Sequence, residues 1–254
     1  MSYSLLPAPA VSPVELNAAL SQRGYAVLDA AGVSAASGCT PAELQALLPF
    51  WDDLPPDAYL KDGGRYRRRR HSCFVVDGER VSQSPHRAHW QPLAYNALHG
   101  GMQRLFEPMP PALLQQPAWP RLLRWLASVC SALRGAQPWY AEAHAFRIDT
   151  TDGIGRPTPE GAHRDGVDLV AVFLLARQGI KGGETRVFEA DGPNGQRFTL
   201  SEPWSLLLLD DARVIHESTP IQPLAAAGHR DTLVVTLRAG GFQGDAPGSS
   251  STGA

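Results

Sequence analysis

His163, Asp165 and, well downstream, His216 are the residues whose types and spacing could do chemistry in this chain. Side chains two apart on an extended strand point the same way, so His163 and Asp165 can grip one ion while Arg164 turns aside. Two imidazoles and one carboxylate meeting at a point suit Fe(II) and leave the opposite face of an octahedral ion open for reaction. A His-x-Asp alone arises often by chance in surface loops, so the weight comes from residues further down the chain. His216 comes after the apolar run 206–209 and the acidic turn Asp210-Asp211, which lets it close the triad from a neighbouring strand. Further on, Arg230 and Thr232 share one face of another strand, where a planar guanidinium and a hydroxyl can both reach a carboxylate. A metal triad followed by such a clamp is what 2-oxoglutarate chemistry requires.

These residues need a sheet to present them. From about Trp139 onward, short apolar runs alternate with Gly, Pro, Asp and Asn clusters, the pattern of antiparallel strands. Strands are expected over roughly 141–148, 168–175, 185–189, 205–209 and 233–237. The runs 170–175 and 206–209 are too continuously apolar for an edge, so they belong at the centre, covered on both sides. A mainly β, jelly-roll, cupin-like core with flanking helices meets these demands. Ser12-Pro13-Val14-Glu15 and Thr40-Pro41-Ala42-Glu43 each order a capping hydroxyl, an N1 proline and an N3 carboxylate, so a helix is expected at each. A third is expected from near Pro120 to near Gly135, where Leu122, Leu123, Trp125, Leu126, Val129, Cys130 and Leu133 recur with helical spacing. The chain reads as a single domain over 1–239, with 1–138 as helical and sheet support and 139–239 as the jelly-roll strands. The Gly-, Ser- and Pro-rich segment 240–254 reads as a disordered tail.

Charge is nearly balanced, with 23 Lys and Arg against 25 Asp and Glu, so no global field draws nucleic acid or an anionic membrane. The expected partner is a small molecule, and an oligomer remains open. No basic n-region with an apolar stretch after it marks the N-terminus, and no segment is apolar enough to span a bilayer. The three cysteines, Cys39, Cys73 and Cys130, are scattered and odd in number, which suits a reducing compartment. The expectation is a cytoplasmic protein.

The chain resembles the 2-oxoglutarate/Fe(II)-dependent dioxygenases, and within them the bacterial group of L-isoleucine 4-hydroxylase and related free amino-acid hydroxylases. The resemblance runs from about Asp57 to Leu237 and rests on several motifs. They are Tyr66-Arg67-Arg68-Arg69-Arg70, the stretch 91–106 with Asn96, Gly100, Gly101 and Arg104, and Pro159-Glu160-Gly161-Ala162-His163-Arg164-Asp165-Gly166. Gly182-Gly183-Glu184-Thr185, Leu209-Asp210-Asp211 with His216, and Arg230-Asp231 complete the set. The resemblance implies a double-stranded β-helix in which His163, Asp165 and His216 bind Fe(II) and Arg230 binds the distal carboxylate of 2-oxoglutarate. It also implies O2 as oxidant, with ascorbate as a supporting reductant. Asp165 favours hydroxylation, because a halogenase needs that coordination site for halide.

A free amino acid presents a carboxylate and an ammonium, so its pocket should supply a cation and an acid. On the strand 141–148, Glu142 and His144 share one face and Arg147 lies on the other, so both sets cannot point inward. Our reading assigns Arg147 to the carboxylate and Glu160 to the ammonium, with His144 as a further substrate contact; a solvated rim charge is the alternative for each. Alternation along 67–70 turns either Arg67 and Arg69 or Arg68 and Arg70 towards the pocket, where they could bind acidic groups. His86 and His89 read as surface-loop residues, and His71, His99 and His229 as belonging to no constellation. Gly182-Gly183 reads as a hairpin turn, Asp210-Asp211 as a turn before His216, and Trp90, Trp139 and Trp204 as core or pocket wall. Two other functions fit the pattern less well: a cupin-like module binding metal or small ligand without turnover, and a hydroxylase of a carrier- or protein-bound residue.

Overall fold

The computed structural model describes residues 5–245. Twelve strands are named in chain order: β1 Tyr25–Leu28, β2 Arg67–Asp77, β3 Arg80–Gln83, β4 Trp139–Asp149, β5 Leu169–Gln178, β6 Ile180–Gly182, β7 Thr185–Glu189, β8 Gly195–Phe198, β9 Leu206–Asp210, β10 Val214–Ser218, β11 Ile221–Pro223 and β12 His229–Ala239. The helices are α1 Leu16–Arg23, α2 Ala30–Ser37, α3 Pro41–Gln45, α4 Pro111–Leu114 and α5 Ala118–Arg134. All strand pairings within the three sheets are antiparallel, and the seven-stranded sheet runs β1-β9-β5-β12-β4-β2-β3. A smaller sheet, β10-β7-β8, and the pair β11-β6 lie apart from it. The architecture is the expected mainly β fold with few helices.

Helix starts follow the capping chemistry. Thr40 Oγ1 accepts from the Glu43 N–H at 3.2 Å, while Glu43 Oε2 accepts from the Thr40 N–H at 2.9 Å, and α3 begins there. The Ser12 box opens a 3-10 turn, Pro13–Glu15, that runs into α1. α1 stops at Gly24, whose φ of 76° sits in the left-handed region and where an added Cβ would lie 2.8 Å from Val214 Cγ1.

The large sheet has two unlike faces. One face, carrying Ala141, Ala143 and Ala145 of β4, Leu233, Val235 and Leu237 of β12 and Ala171 and Phe173 of β5, packs against the helices, with Leu122, Leu123 and Leu126 of α5 in the same core. On the other face, β5 and β9 supply Val170, Leu174, Leu207 and Leu209 to a second apolar core with Val187, Phe198 and Val214. β5 and β9 are therefore covered on both sides, as their unbroken apolar runs require. The remaining strands, β12, β4 and β2, turn polar residues to that same inner side, and there a cavity of about 130 Å³ opens.

The segment 1–138, expected as helical and sheet support, supplies β1, β2 and β3 to the large sheet. The expected tail needs correction, because it begins too early. Phe242 is buried and packs edge-on to Tyr140 at 5.1 Å between ring centroids, and Asp245 pairs with Arg87. Residues 246–254 of that tail lie outside the described residues.

Candidate active site

Backbone pairing brings the separated imidazoles together. His163 and His216 form a cross-strand pair, each N–H donating to the other's carbonyl at 3.0 Å. Directly opposed residues project to the same side of a sheet, and the two rings lie 4.6 Å apart. Asp165, two residues along the extended chain, joins them: its Oδ1 is 3.7 Å from His163 Nε2 and its Oδ2 3.8 Å from His216 Nε2.

The turn after His163 is held by Asp211, which does far more than make a bend before His216. Its carboxylate accepts the backbone N–H groups of Asp165, Gly166 and Val167 at 2.9, 2.7 and 3.1 Å. Burial, and then the charge of Asp165, push the Asp211 pKa up to about 6 against the opposing pull of those three donors. Gly166 sits at φ 77°, where an added Cβ would lie 2.5 Å from the Tyr95 ring. Gln243 clamps the turn from the other side, donating to the carbonyls of Asp165 and Gly166 at 2.7 and 2.8 Å.

The donor set fits a metal ion. His163 Nδ1 is 2.9 Å from the Gly161 carbonyl, which assigns the proton to Nδ1 and leaves the Nε2 lone pair facing Asp165. His216 is buried, and burial followed by the charge of His163 drives its pKa well down, so it presents a neutral imidazole. At His163 burial also acts to lower the pKa, but Asp165 and Glu160 together raise it on balance. Gln91 Nε2 donates to Asp165 Oδ1 at 3.1 Å and so helps orient the carboxylate. At 3.7 and 3.8 Å the carboxylate stands too far from either imidazole for a hydrogen bond, so the three ligand atoms surround a space rather than bond to one another.

Arg230 and Thr232 are 4% and 3% exposed and line the same cavity as the triad. Arg230 Nε has no protein partner. Burial, then repulsion from Arg177, bring its pKa down to about 10, so it remains a cation at neutral pH. His144 and Glu160 also line the cavity, with Glu160 Oε1 3.6 Å from His163 Nε2 and Oε2 buried without a partner. Arg147 does not. It lies on the opposite face of β4, where Asp231 takes its Nε and Nη2 at 2.8 and 2.7 Å and Asp52 lies 3.4 Å away. Its place at the end of the helix-facing side, set by strand alternation, removes it from the cavity.

The family model described as 2OG-Fe dioxygenase matches residues 48–236. The chain belongs to the 2OG-Fe dioxygenase family. Among solved structures it is similar to that of a bsmA homolog from Methylobium petroleophilum PM1, at 50% identity and a TM-score of 0.89, covering 97% of this chain and 100% of that one. It also resembles IDO from Bacillus thuringiensis, at 16% identity and a TM-score of 0.72 over 96% of this chain and 99% of that one. The Fe(II)/(alpha)ketoglutarate-dependent dioxygenase TqaL is similar at 20% identity and a TM-score of 0.70, covering 92% and 90% of the two chains. The fold these neighbours share is the double-stranded β-helix. No curated protein matches the chain significantly.

This 2OG-Fe dioxygenase uses Fe(II), 2-oxoglutarate and O2. Its sequence hid a second cluster. His71, His89, Glu142 and His144 are all buried, with donor atoms within 4.8 Å of one another, so neither the surface-loop reading of His89 nor the isolation of His71 holds. Unlike the triad, this cluster is already internally bonded. Glu142 Oε2 accepts from His71 Nε2 at 2.9 Å and His89 Nδ1 at 2.7 Å, and His144 Nδ1 accepts from Arg69 Nη2 at 2.6 Å. Burial outweighs the pull of Glu142 and holds His89 at about 4, while the two imidazole donors overcome the burial of Glu142 and keep it ionised. Gln91, Gln243 and Asp211 are site residues that the sequence reading does not single out as such; for Gln91 the family-like stretch 91–106 is a signal. No helix among the described residues is long and apolar enough to cross a membrane.

Proposed function

We propose that this dioxygenase hydroxylates an unactivated carbon of a free amino acid or a close derivative, with His163, Asp165 and His216 holding Fe(II) and Arg230, aided by Thr232, holding the distal carboxylate of 2-oxoglutarate. What supports this reading is that the triad, a buried guanidinium and further buried groups of both charges line one cavity. The likeness of the motifs around Arg67, Gln91 and Glu160 to the isoleucine 4-hydroxylase group points the same way.

The iron, with its co-substrates, supplies the oxidising power to replace C–H by C–OH while 2-oxoglutarate becomes succinate and CO2. The protein's part is positioning and the exclusion of water. Arg230, whose buried Nε has no protein partner, would hold the co-substrate's carboxylate, and Gln91 and Asp211 keep Asp165 aimed. Glu160, with a buried unpartnered oxygen, is offered as the contact for the substrate ammonium, and His144 as a neighbouring wall. We take 1–239, together with the packed residues 240–245 that include Gln243, as the domain that carries this activity. We place it in the cytoplasm because Cys39, Cys73 and Cys130 are buried free thiols, which suits a reducing compartment.

The test is to mix enzyme anaerobically with Fe(II), 2-oxoglutarate and ascorbate, add O2 and a panel of free amino acids, and measure succinate and the gain of one oxygen in product mass. Succinate no higher than in a His163→Ala control across the panel would remove the reading.

A further inference from the structure

At the polar end of the cavity three buried guanidiniums meet, and the protein uses only part of their hydrogen-bonding capacity. Arg67, Arg69 and Arg104 are 5%, 3% and 2% exposed and all line the cavity. Asp57 pairs with Arg67 Nε at 2.7 Å and lies 3.9 Å from Arg69 Nη1. Among the described residues, Arg104 has no carboxylate within ion-pair distance; its Nη2 donates to Gln91 Oε1 at 3.0 Å. Each of the three keeps a buried nitrogen without a partner: Arg67 Nη2, Arg69 Nε and Arg104 Nε. Guanidinium does not lose its proton at neutral pH. Glu142 and Glu160 act on these arginines through space, but among the described residues only Asp57 stands within ion-pair distance. The three orphaned nitrogens are therefore open to a ligand's anionic oxygens.

Arg69 is also held from several sides. The Arg69 guanidinium is sandwiched between aromatic rings, its Cζ 3.8 Å from the Phe106 centroid and 4.4 Å from that of Phe146, and His144 fixes one of its nitrogens. Gln91 ties Arg104 to Asp165, so one side chain separates the arginines from the iron-binding carboxylate.

We propose that Arg67, Arg69 and Arg104 seat the carboxylate of the substrate. The proposal rests on the hydroxylase reading for the reaction and names which end of the substrate is held, and by what. A carboxylate matches the planar forks, whereas a dianionic phosphate would meet Glu142 and Glu160 on the same walls. It also replaces Arg147, which the fold turns away.

Binding alone tests this, with enzyme loaded with Zn(II) and 2-oxoglutarate and titrated calorimetrically. The probes are the proteinogenic L-amino acids, their N-acetyl forms and their carboxamides. The amide of the best binder should bind about thirty-fold or more weakly than its acid, the loss expected when a buried charge loses its partner. Arg104→Met and Arg69→Met should erase that preference while binding 2-oxoglutarate as wild type does, which certifies the fold. Arg104→Lys should restore part of it. An amide as good as its acid, an Arg104→Met preference within threefold of wild type, or a panel in which no carboxylate binds would each overturn the proposal. If N-acetyl forms bind through the arginines and free amino acids do not, the seat stands and the free amino-acid reading falls.

Discussion

Replacing Arg230 by alanine should separate co-substrate binding from folding. The guanidinium is 4% exposed, its Nε is unpartnered, and among the described residues it makes no ion pair. In the apo protein it is therefore a desolvated cation with little to offset it, pushed down to about 10 by burial and by Arg177. Truncation relieves that penalty, so the apo variant should unfold no earlier than wild type. Binding is different, because 2-oxoglutarate would bring a buried carboxylate to a site without its cation. That costs about 2–5 kcal/mol, or roughly thirty- to several-thousandfold in Kd. Arg177 is near enough to act on Arg230 and can answer part of the charge, which favours the lower half of that range. Calorimetric titration of 2-oxoglutarate into the Zn(II)-loaded protein, beside thermal melts of the apo forms, measures both quantities. A Kd within threefold of wild type, or a melting temperature that falls with the affinity, would refute the assignment of this side chain to the co-substrate.

Asp211→Asn should weaken Fe(II) binding about ten- to a hundredfold, because Asp211 aligns the backbone of Asp165, Gly166 and Val167 behind the ligands. Equilibrium dialysis against Fe(II) under argon reads this, and an unchanged affinity would count against the supporting role. Trp51→Ala should destabilise the protein by about 3–5 kcal/mol, since the ring is 1% exposed and its Nε1 donates to the Thr232 carbonyl at 3.1 Å. Urea unfolding checks it, and a midpoint close to that of wild type would show the helix-side core to be softer than its packing indicates. The apo protein should lose stability as pH falls from about 6.5 towards 4. The folded pKa of His89 lies at about 4, below the ordinary 6.5, so in that window the unfolded chain binds the proton first and stability rises with pH. Its share is on the order of 3 kcal/mol, at about 1.4 kcal/mol for each pH unit separating the folded and unfolded values. A flat urea midpoint between pH 7 and 4.5 would contradict it.

Much of the site was legible because it obeys short-range rules. His163 and Asp165 share a side through the two-residue period of an extended chain, as do Arg230 and Thr232. The runs 170–175 and 206–209 announced strands buried on both faces, and Thr40 with Glu43 announced the start of α3. The illegible part depended on register. Which of Glu142 and Arg147 faces inward is a single binary choice on β4, and nothing local decides it. The choice is made by Ala141, Ala143 and Ala145 packing against the helices, which turns Glu142, His144, Phe146 and Ile148 to the cavity.

By itself, then, the sequence determined which residue types could bind iron and a dicarboxylate, and that strands would have to present them. Only the tertiary structure decided that His71 of β2 pairs opposite His144 of β4, that His89 and Glu142 close around them, and that Arg67 and Arg69 turn inward towards Arg104. Periodicity propagates along one strand, whereas the pairing of strands far apart in the chain is settled by the whole core. A cluster whose members come from β2, β4 and the segment after β3 has no signature in any one of them.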